Sequence, residues 1–416
     1  MCLSRCGARC RGGPASHCCA APPAGAGGDM AQRRTAMLCA HLAPAAGEDR
    51  RTATQRLPTG EAQRLTSQAR LFVDFADVHS QRNLTREFHQ AQKHGTQPVL
   101  TQDAPWERVA GMCGSVVFDE EERQFKAFYM AGGYEPGAET SMGHHELHTV
   151  CMATSADGVH WERPSLGQHS ALGSAANNIV IPGSHHDGMD HFETVVRDPL
   201  DSDASRRYKA IGWSSYDWDG PGSGIYTATS ADGISWAHPP HPSFHHNSRP
   251  GSGDLGPVGD AQSLMVDVRQ QRYIAMLRGS GSSRLMSTST DFVRWTAPRP
   301  FLSAQHELEA MYNNTGFDYG SQYLGFLTYF DKHADRQSQE LRLLSSRDAE
   351  QWQRVNMEGE PLIPCGAVGA WDRFQVMLTG APPITVGDRL FIYYRGTPRR
   401  HNKAVKEHNA DIDAGQ

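Results

Sequence analysis

The sequence predicts an all-β chain folded as a five-bladed β-propeller behind a disordered N-terminal leader. A heptapeptide recurs four times with Trp four residues after Asp, an apolar aromatic-rich run precedes each copy, and a shorter apolar stretch closing on Asp precedes each run. Almost no apolar pattern of helical period separates these units, so a repeating antiparallel sheet accounts for them better than any helical array. The boundaries drawn on this pattern are residues 1–67 for the leader and 68–416 for the propeller, whose last blade lacks a strand pattern after about residue 396.

The leader comes first. Six of the nine cysteines (Cys2, Cys6, Cys10, Cys18, Cys19, Cys39) lie in its first 39 residues among Gly, Ala, Pro and Arg. Few bulky apolar side chains are present to offset the entropy of ordering, so disorder is expected. It has no apolar core of the kind a secretory signal needs; its Arg-rich, acid-poor character is loosely that of an organelle transit peptide, and a start at Met30 or later accounts for it equally well. Residues 69–78 then read as a strand that could close the ring by joining the last blade.

The blades follow in order. Ser155-Ala156-Asp157-Gly158-Val159-His160-Trp161 returns almost unchanged as 230–236, and in degenerate form as 289–295 and 346–352, with successive Trp residues 75, 59 and 57 apart. The runs before the copies are 125–130, 208–213, 273–277 and 323–329, and a fifth of the same character is 390–394. Upstream of each run, short stretches close on Asp119, Asp198, Asp267, Asp318 and Asp388. The unit is strand, Asp turn, strand, and a third strand ending in Asp-x-x-x-Trp. Its Asp and Gly shape a tight turn and its Trp packs between blades, so these repeated Asp residues are architectural.

Composition narrows the partners. Lys and Arg number 40 against 46 Asp and Glu, a net charge of −6. The folded part therefore lacks the electrostatic basis for nucleic acid or an anionic membrane, and no apolar run is long enough to cross a bilayer. Cys113, Cys151 and Cys365 are too scattered for a disulfide framework and read as buried thiols. His144, His145, His148, His185, His186 and His191 have no helical H-x-x-x-H or Cys/His spacing, so no catalytic metal and no cofactor is expected.

In a propeller the innermost strands begin at the funnel of the central channel, where polar groups converge. At those starts stand Trp106-Glu107, then Asp190-His191 with Glu193, then Asp260 with Gln262, then Glu307 and Glu309 with Tyr312, then Trp371-Asp372-Arg373. Every blade offers a carboxylate. Paired carboxylates suit glycosidic chemistry, one ionised as nucleophile or base and the other delivering a proton to the leaving oxygen. Glu107, Asp190, Asp260 and Glu309 are the catalytic candidates. Trp106, His191, Glu193, Gln262, Arg278, Tyr312, Asp372 and Arg373 are the candidates for holding an oligosaccharide or polysaccharide substrate, by stacking on sugar faces, hydrogen-bonding hydroxyls or balancing charge; Trp218, Trp371 and Arg395 belong with them in character.

The set 71–74, Asn83 to Arg86, Pro98 to Leu100, Pro105 to Glu107, 155–164, Asn177 to Val180, Arg207 to Ala210, Gly259 to Gln262 and Tyr393-Tyr394 resembles the five-bladed propeller glycosidase superfamily of glycoside hydrolase families 32, 43, 62 and 68, closest to uncharacterised bacterial family 32-like proteins. The resemblance spans about residues 70–396. It implies three acidic residues at the starts of inner strands: a base or nucleophile at Glu107, a modulating Asp at Asp190, and a proton-donating Glu where this chain has Asp260, with Glu193 and Glu309 as substitutes. It also allows a structural divalent ion in the channel. Arg197-Asp198-Pro199 matches a family 32 motif in letters but follows its strand, and reads as a turn. The opening motif of family 32 is missing, so activity on sucrose is not expected. The function implied is hydrolysis of a furanoside or other plant or microbial glycan. A non-catalytic carbohydrate-binding propeller is the rival, and a glycoside phosphorylase, with Arg278 and Arg373 toward phosphate, is a third reading.

Overall fold

The computed structural model describes residues 36–41 (backbone alone), 71–74, 78, 80–83, 86–107, 112–132, 148–182, 191–214, 224–245, 261–279, 282–333, 336–355 and 360–401. Two short strands come before the repeats, β1 (Ala36–His41) and β2 (Gln92–Lys93). Three antiparallel sheets of four strands then follow one another along the chain, and a nine-stranded sheet completes the fold. The first is β3 (Met112–Asp119), β4 (Gln124–Gly132), β5 (His148–Ser155) and β6 (Ile179–Ile181). The second is β7 (His191–Arg197), β8 (Tyr208–Ser214), β9 (Gly224–Ser230) and β10 (Phe244–His245). The third is β11 (Ser263–Asp267), β12 (Arg272–Arg278), β13 (Ser283–Ser289) and β14 (Arg299–Ser303). The fourth, nine-stranded sheet opens with β15 (Glu309–Tyr319), β16 (Gln322–Asp331), β17 (Ser338–Ser346) and β18 (Trp352–Arg354). Among the described residues there is no α-helix, and no helix long and apolar enough to cross a membrane.

The same sheet continues through a parallel pairing of Gln339 in β17 with Gln375, and its far part is assembled from both ends of the described chain. β19 (Gln375–Leu378), β20 (Ile384–Val386) and β21 (Arg389–Thr397) form its C-terminal part. β1 pairs antiparallel with β21, from Ala36 opposite Gly396 to Ala40 opposite Ile392, and β2 pairs with β1. The strand expected at 69–78 is not the one that does this: residues 71–74 carry no strand, and the edge of β21 is covered by 36–41 instead. β1 therefore lies within residues 1–67, the remainder of which is outside the described residues.

The second strands are apolar runs because both their faces are covered; all ten residues of β16 are buried. Four apolar clusters lie between sheets and a fifth lies within the nine-stranded one. Phe391 and Tyr393 of β21 join the first sheet's Phe125 and Tyr129, and Phe128 and Phe192 join the first and second sheets. Trp213 meets Tyr273 and Phe292 between the second and third, Met265 meets Tyr323 and Trp352 between the third and fourth, and Phe326 of β16 meets Tyr394 of β21 between the two parts of the nine-stranded sheet.

The repeated heptapeptide has one geometry in all four copies. The Asp carboxylate accepts the amides two and three residues on, as Asp157 does from Val159 and His160 (both 2.8 Å) and Asp348 from Glu350 and Gln351 (both 2.8 Å). The residue after the Asp is left-handed: Gly158 at φ 79°, Gly233 at 80°, Phe292 at 61° and Ala349 at 59°. Glycine takes this conformation without strain. At Gly158 it also admits the Tyr393 hydroxyl, 2.5 Å from where a Cβ would stand. The Trp residues then lie against the preceding sheet, Trp236 with its ring centroid 5.9 Å from Phe128 and Trp161 6.1 Å from Tyr393.

The strand-closing Asp residues do more than form turns. Asp119 accepts the Glu121 and Glu122 amides and also the Tyr208 hydroxyl from the second sheet. Asp198 takes the Tyr273 hydroxyl at 2.6 Å and Asp267 the Tyr323 hydroxyl at 2.8 Å. Burial would raise the Asp119 carboxyl, but Tyr208, the Glu122 amide, Arg197 and Lys126 together hold it below the usual carboxylate range.

Candidate functional site

The first strands of the sheets meet one another through hydrogen bonds at their starts. Gly380, just past β19, donates its amide to the Gly114 carbonyl at 2.8 Å. Ser115 accepts the Val195 amide at 2.8 Å, and the Thr194 hydroxyl donates to the Gln262 and Gly380 carbonyls at 3.4 and 3.2 Å. The Ser263 hydroxyl reaches the Asn314 carbonyl, and the Asn313 amide donates to the Leu378 carbonyl at 2.7 Å. The approach is close enough that a Cβ on Gly380 would lie 2.0 Å from the Glu193 carbonyl.

Three buried polar side chains stand at equivalent places here. Glu193, Gln262 and Asn313 each precede the strand-closing Asp by five residues. In β7 the ladder slips between Phe192 and Thr194, and in β15 between Met311 and Asn314. Such bulges re-aim a side chain out of the strand's alternation. Glu193 accepts the Ala261 amide at 3.0 Å, while the Ala261 carbonyl accepts from the fully buried Arg284 at 3.0 Å. Ala261 itself sits at φ 71°. A non-glycine residue held there costs on the order of 1–3 kcal/mol and persists because its surroundings impose it.

Glu107 and Glu309 are elsewhere engaged. Glu107 is buried and accepts five hydrogen bonds: Tyr129 hydroxyl at 2.5 Å, Arg163 at 2.8 and 3.0 Å, and the Asp103 and Ala104 amides at 2.8 and 3.0 Å. A carboxylate has about four lone-pair directions, so none is left over for a sugar oxygen. Burial would lower Arg163, yet Glu107 and Tyr129 hold it above its usual value, as expected of a desolvated ion pair. Glu309 repeats the arrangement with Arg354 and the Gln305 amide, the latter at 2.6 Å. The two glutamates share no hydrogen-bond partner, and both read as anchors of their own sheets rather than a catalytic pair. Each is gripped by the Arg two residues after the repeat Trp, a Trp-x-Arg signal visible at 161–163 and 352–354.

The other expected residues divide. Arg278 lies over the Tyr312 ring, 4.3 Å from its centroid, and its amide donates to Gln262 at 2.8 Å. These three are brought together beside Glu193. Trp106 donates its indole N–H to Asn178 at 2.9 Å in the Glu107 network. Asp372 is buried between Lys93 at 2.6 Å and the Tyr394 hydroxyl at 2.9 Å, a structural pairing that joins β2 to the last sheet. Arg373 lies over Phe374, 4.8 Å from its centroid. Asp190, Asp260 and Trp218, and the side chain of His191, lie outside the described residues, as do the side chains of His144, His145, His148, His185 and His186. Among the described residues no group of three or more His, Cys, Asp or Glu is placed to hold a metal ion.

Not anticipated from the sequence were Asn313, Arg284 and His401. The first is signalled by the five-residue spacing to Asp318; Arg284 and His401 carry no local pattern. A cavity of about 760 Å³, lined by aromatic residues such as Phe88 and Tyr319 and by Arg86, Glu87, His89 and Glu360, holds none of the expected site residues.

No family profile matches the chain, and none of the curated proteins matches it. Solved structures of similar shape include an N-acetylgalactosamine deacetylase from F. plautii in complex with blood group B trisaccharide, 15% identical over 76% of this chain and 96% of that one, with a TM-score of 0.44. A glycosyl hydrolase from Bacteroides ovatus is 13% identical over 70% of this chain and 85% of that one, TM-score 0.47. A protein described under the glycoside hydrolase family 130 mannoside phosphorylases, which contain hydrolases of β-1,2-mannosidic linkages in Candida mannan, is 14% identical over 70% and 86%, TM-score 0.45.

Proposed function

We propose that the chain is a glycan-acting enzyme, a glycoside hydrolase whose strand repeats are the five blades of a propeller, two of them joined in the nine-stranded sheet, and whose chemistry lies where their first strands meet. The observation that carries this reading is the pinning of Ala261 at positive φ between Glu193 and Arg284. Backbone strain imposed by two buried charged side chains is expensive to maintain and is typical of a site that fixes a neighbouring reactive group. The neighbour in sequence is Asp260. In this proposal Asp260 and Asp190 supply the acid and base, and Glu193 is a positioning residue that holds the Ala261 amide, the next peptide in the chain after Asp260. Gln262 and Arg278 hold the sugar, and Tyr312 offers it a ring face. One carboxyl gives a proton to the leaving oxygen as the other, ionised, attacks the anomeric carbon or activates water.

The test is a screen of aryl glycosides and oligosaccharides against the full chain, with the Asp260→Asn variant beside it. Turnover that is lost in the variant supports the reading. Glycan binding without turnover would replace it with the non-catalytic propeller.

A further inference from the structure

Next to Glu193 and Gln262, Arg278 and Tyr312, which hold the sugar in the proposed function, belong to a corner that carries a second cation, Arg395. It is built from strands of two sheets: Arg278 at the end of β12, Tyr312 in the bulge of β15, and Arg395 on β21. Tyr312, Phe330 and His401 stand edge-on to one another with ring centroids 4.8 to 5.7 Å apart, and the Tyr312 hydroxyl is hydrogen-bonded to His401 Nε2. Arg395 is half-buried. Its guanidinium touches the Met377 sulfur, and among the described residues it makes no ion pair with a carboxylate. A thioether is a weak acceptor, so this cation is partly stripped of water without an anion in return. Burial, with the positive fields of Arg395 and Arg278, holds the His401 imidazole down to about 4, which marks the corner as electropositive even with that ring neutral.

We propose that this corner is an oxyanion subsite in which Arg395 and Arg278 bind the oxygens of a carboxylate, phosphate or sulfate against the Tyr312, Phe330 and His401 wall. Planar guanidinium forks suit such groups. The inference rests on the glycan-acting reading and narrows it: the anion is either an acid group on the sugar itself or free inorganic phosphate entering beside the scissile bond.

The experiment is calorimetric titration of the full chain with inorganic phosphate, sulfate, methyl glucuronide and, as the neutral control, methyl glucoside. At least one anion should bind, and Arg395→Met should weaken it by roughly tenfold or more, the loss of a charge-assisted pair. Saturation should also raise the His401 titration midpoint seen by NMR, because the anion cancels the field that depresses it. Phosphate binding points to phosphorolysis, glucuronide binding to an acidic glycan. A chain that binds none of the three anions, or binds them equally well after Arg395→Met and Arg278→Met, overturns the subsite. Turnover of neutral glycans without anion binding would remove the subsite and leave the glycan reading; anion binding without turnover of any glycan would do the reverse.

Discussion

Arg163 grips Glu107 with two hydrogen bonds of 2.8 and 3.0 Å, although 56 residues separate them and the carboxylate is withdrawn from water. The same grip joins Arg354 to Glu309, 45 residues apart, in the fourth sheet. Each ties the entry of a sheet's first strand to the segment that follows its repeat Trp.

Breaking one of these pairs strands a buried charge. Glu107→Gln and Arg163→Met should each lower stability by about 3–5 kcal/mol in urea unfolding, while the double variant Glu107→Met/Arg163→Met recovers part of the loss. Turnover per folded molecule should survive Glu107→Gln. If activity vanishes from a folded Glu107→Gln protein, the carboxylate belongs to the mechanism after all.

Asp260→Asn should abolish glycan turnover with an unchanged melting temperature, since it removes a proton-exchanging group and preserves shape. Glu193→Gln should lower kcat more than it raises KM and shift the pH profile, because it loosens the peptide that follows Asp260 rather than a direct sugar contact. Equal kinetics in Glu193→Gln would show that pinning Ala261 has no bearing on the chemistry.

Trp352 is buried and lies against Met265 of the third sheet and the backbone at Gly316 and Gly325. Trp352→Ala should cost about 3–5 kcal/mol, as truncation of a buried aromatic does. A variant as stable as the parent in denaturant titration would argue against Trp packing as the cement between sheets.

His401 gives the pH dependence. Its folded midpoint, about 4, lies below the ordinary imidazole value because of burial, Arg395 and Arg278. The stability associated with the neutral ring is therefore complete above roughly pH 6.5 and is lost as pH falls toward 4. His401→Gln should flatten the melting-temperature profile over that interval; an unaltered profile would mean the ring does not titrate with folding.

Deleting residues 1–33 should leave the melting temperature unchanged, whereas deletion through 67 removes β1 and bares the edge of β21. The longer deletion should melt several degrees lower and aggregate more readily, as uncovered strand edges do. Equal behaviour of the two truncations would show that β1 contributes nothing to the last sheet.

What the sequence determines by itself is the local grammar. An Asp whose carboxylate caps the amides two and three residues on, and a left-handed residue after it, involve contacts within a few positions, so Ser-x-Asp-x-x-x-Trp could be read directly, as could the apolar runs that became β4, β8, β12, β16 and β21. Tertiary structure decided which acids are spoken for. Glu107, Glu309 and Asp372 are acids near strand starts with nothing in the neighbouring sequence to mark a partner, yet they are paired with Arg163, Arg354 and Lys93 at separations of 56, 45 and 279 residues. It also decided that the edge of β21 is covered by 36–41, a short Ala-Met-Leu-Cys-Ala-His run without the β-branched residues, Phe, Tyr or Trp that announce a strand. Turn chemistry is short-ranged and leaves its mark in the letters; the partner of a charge, or of a sheet edge, is set by where the chain returns, and no neighbouring residue records it.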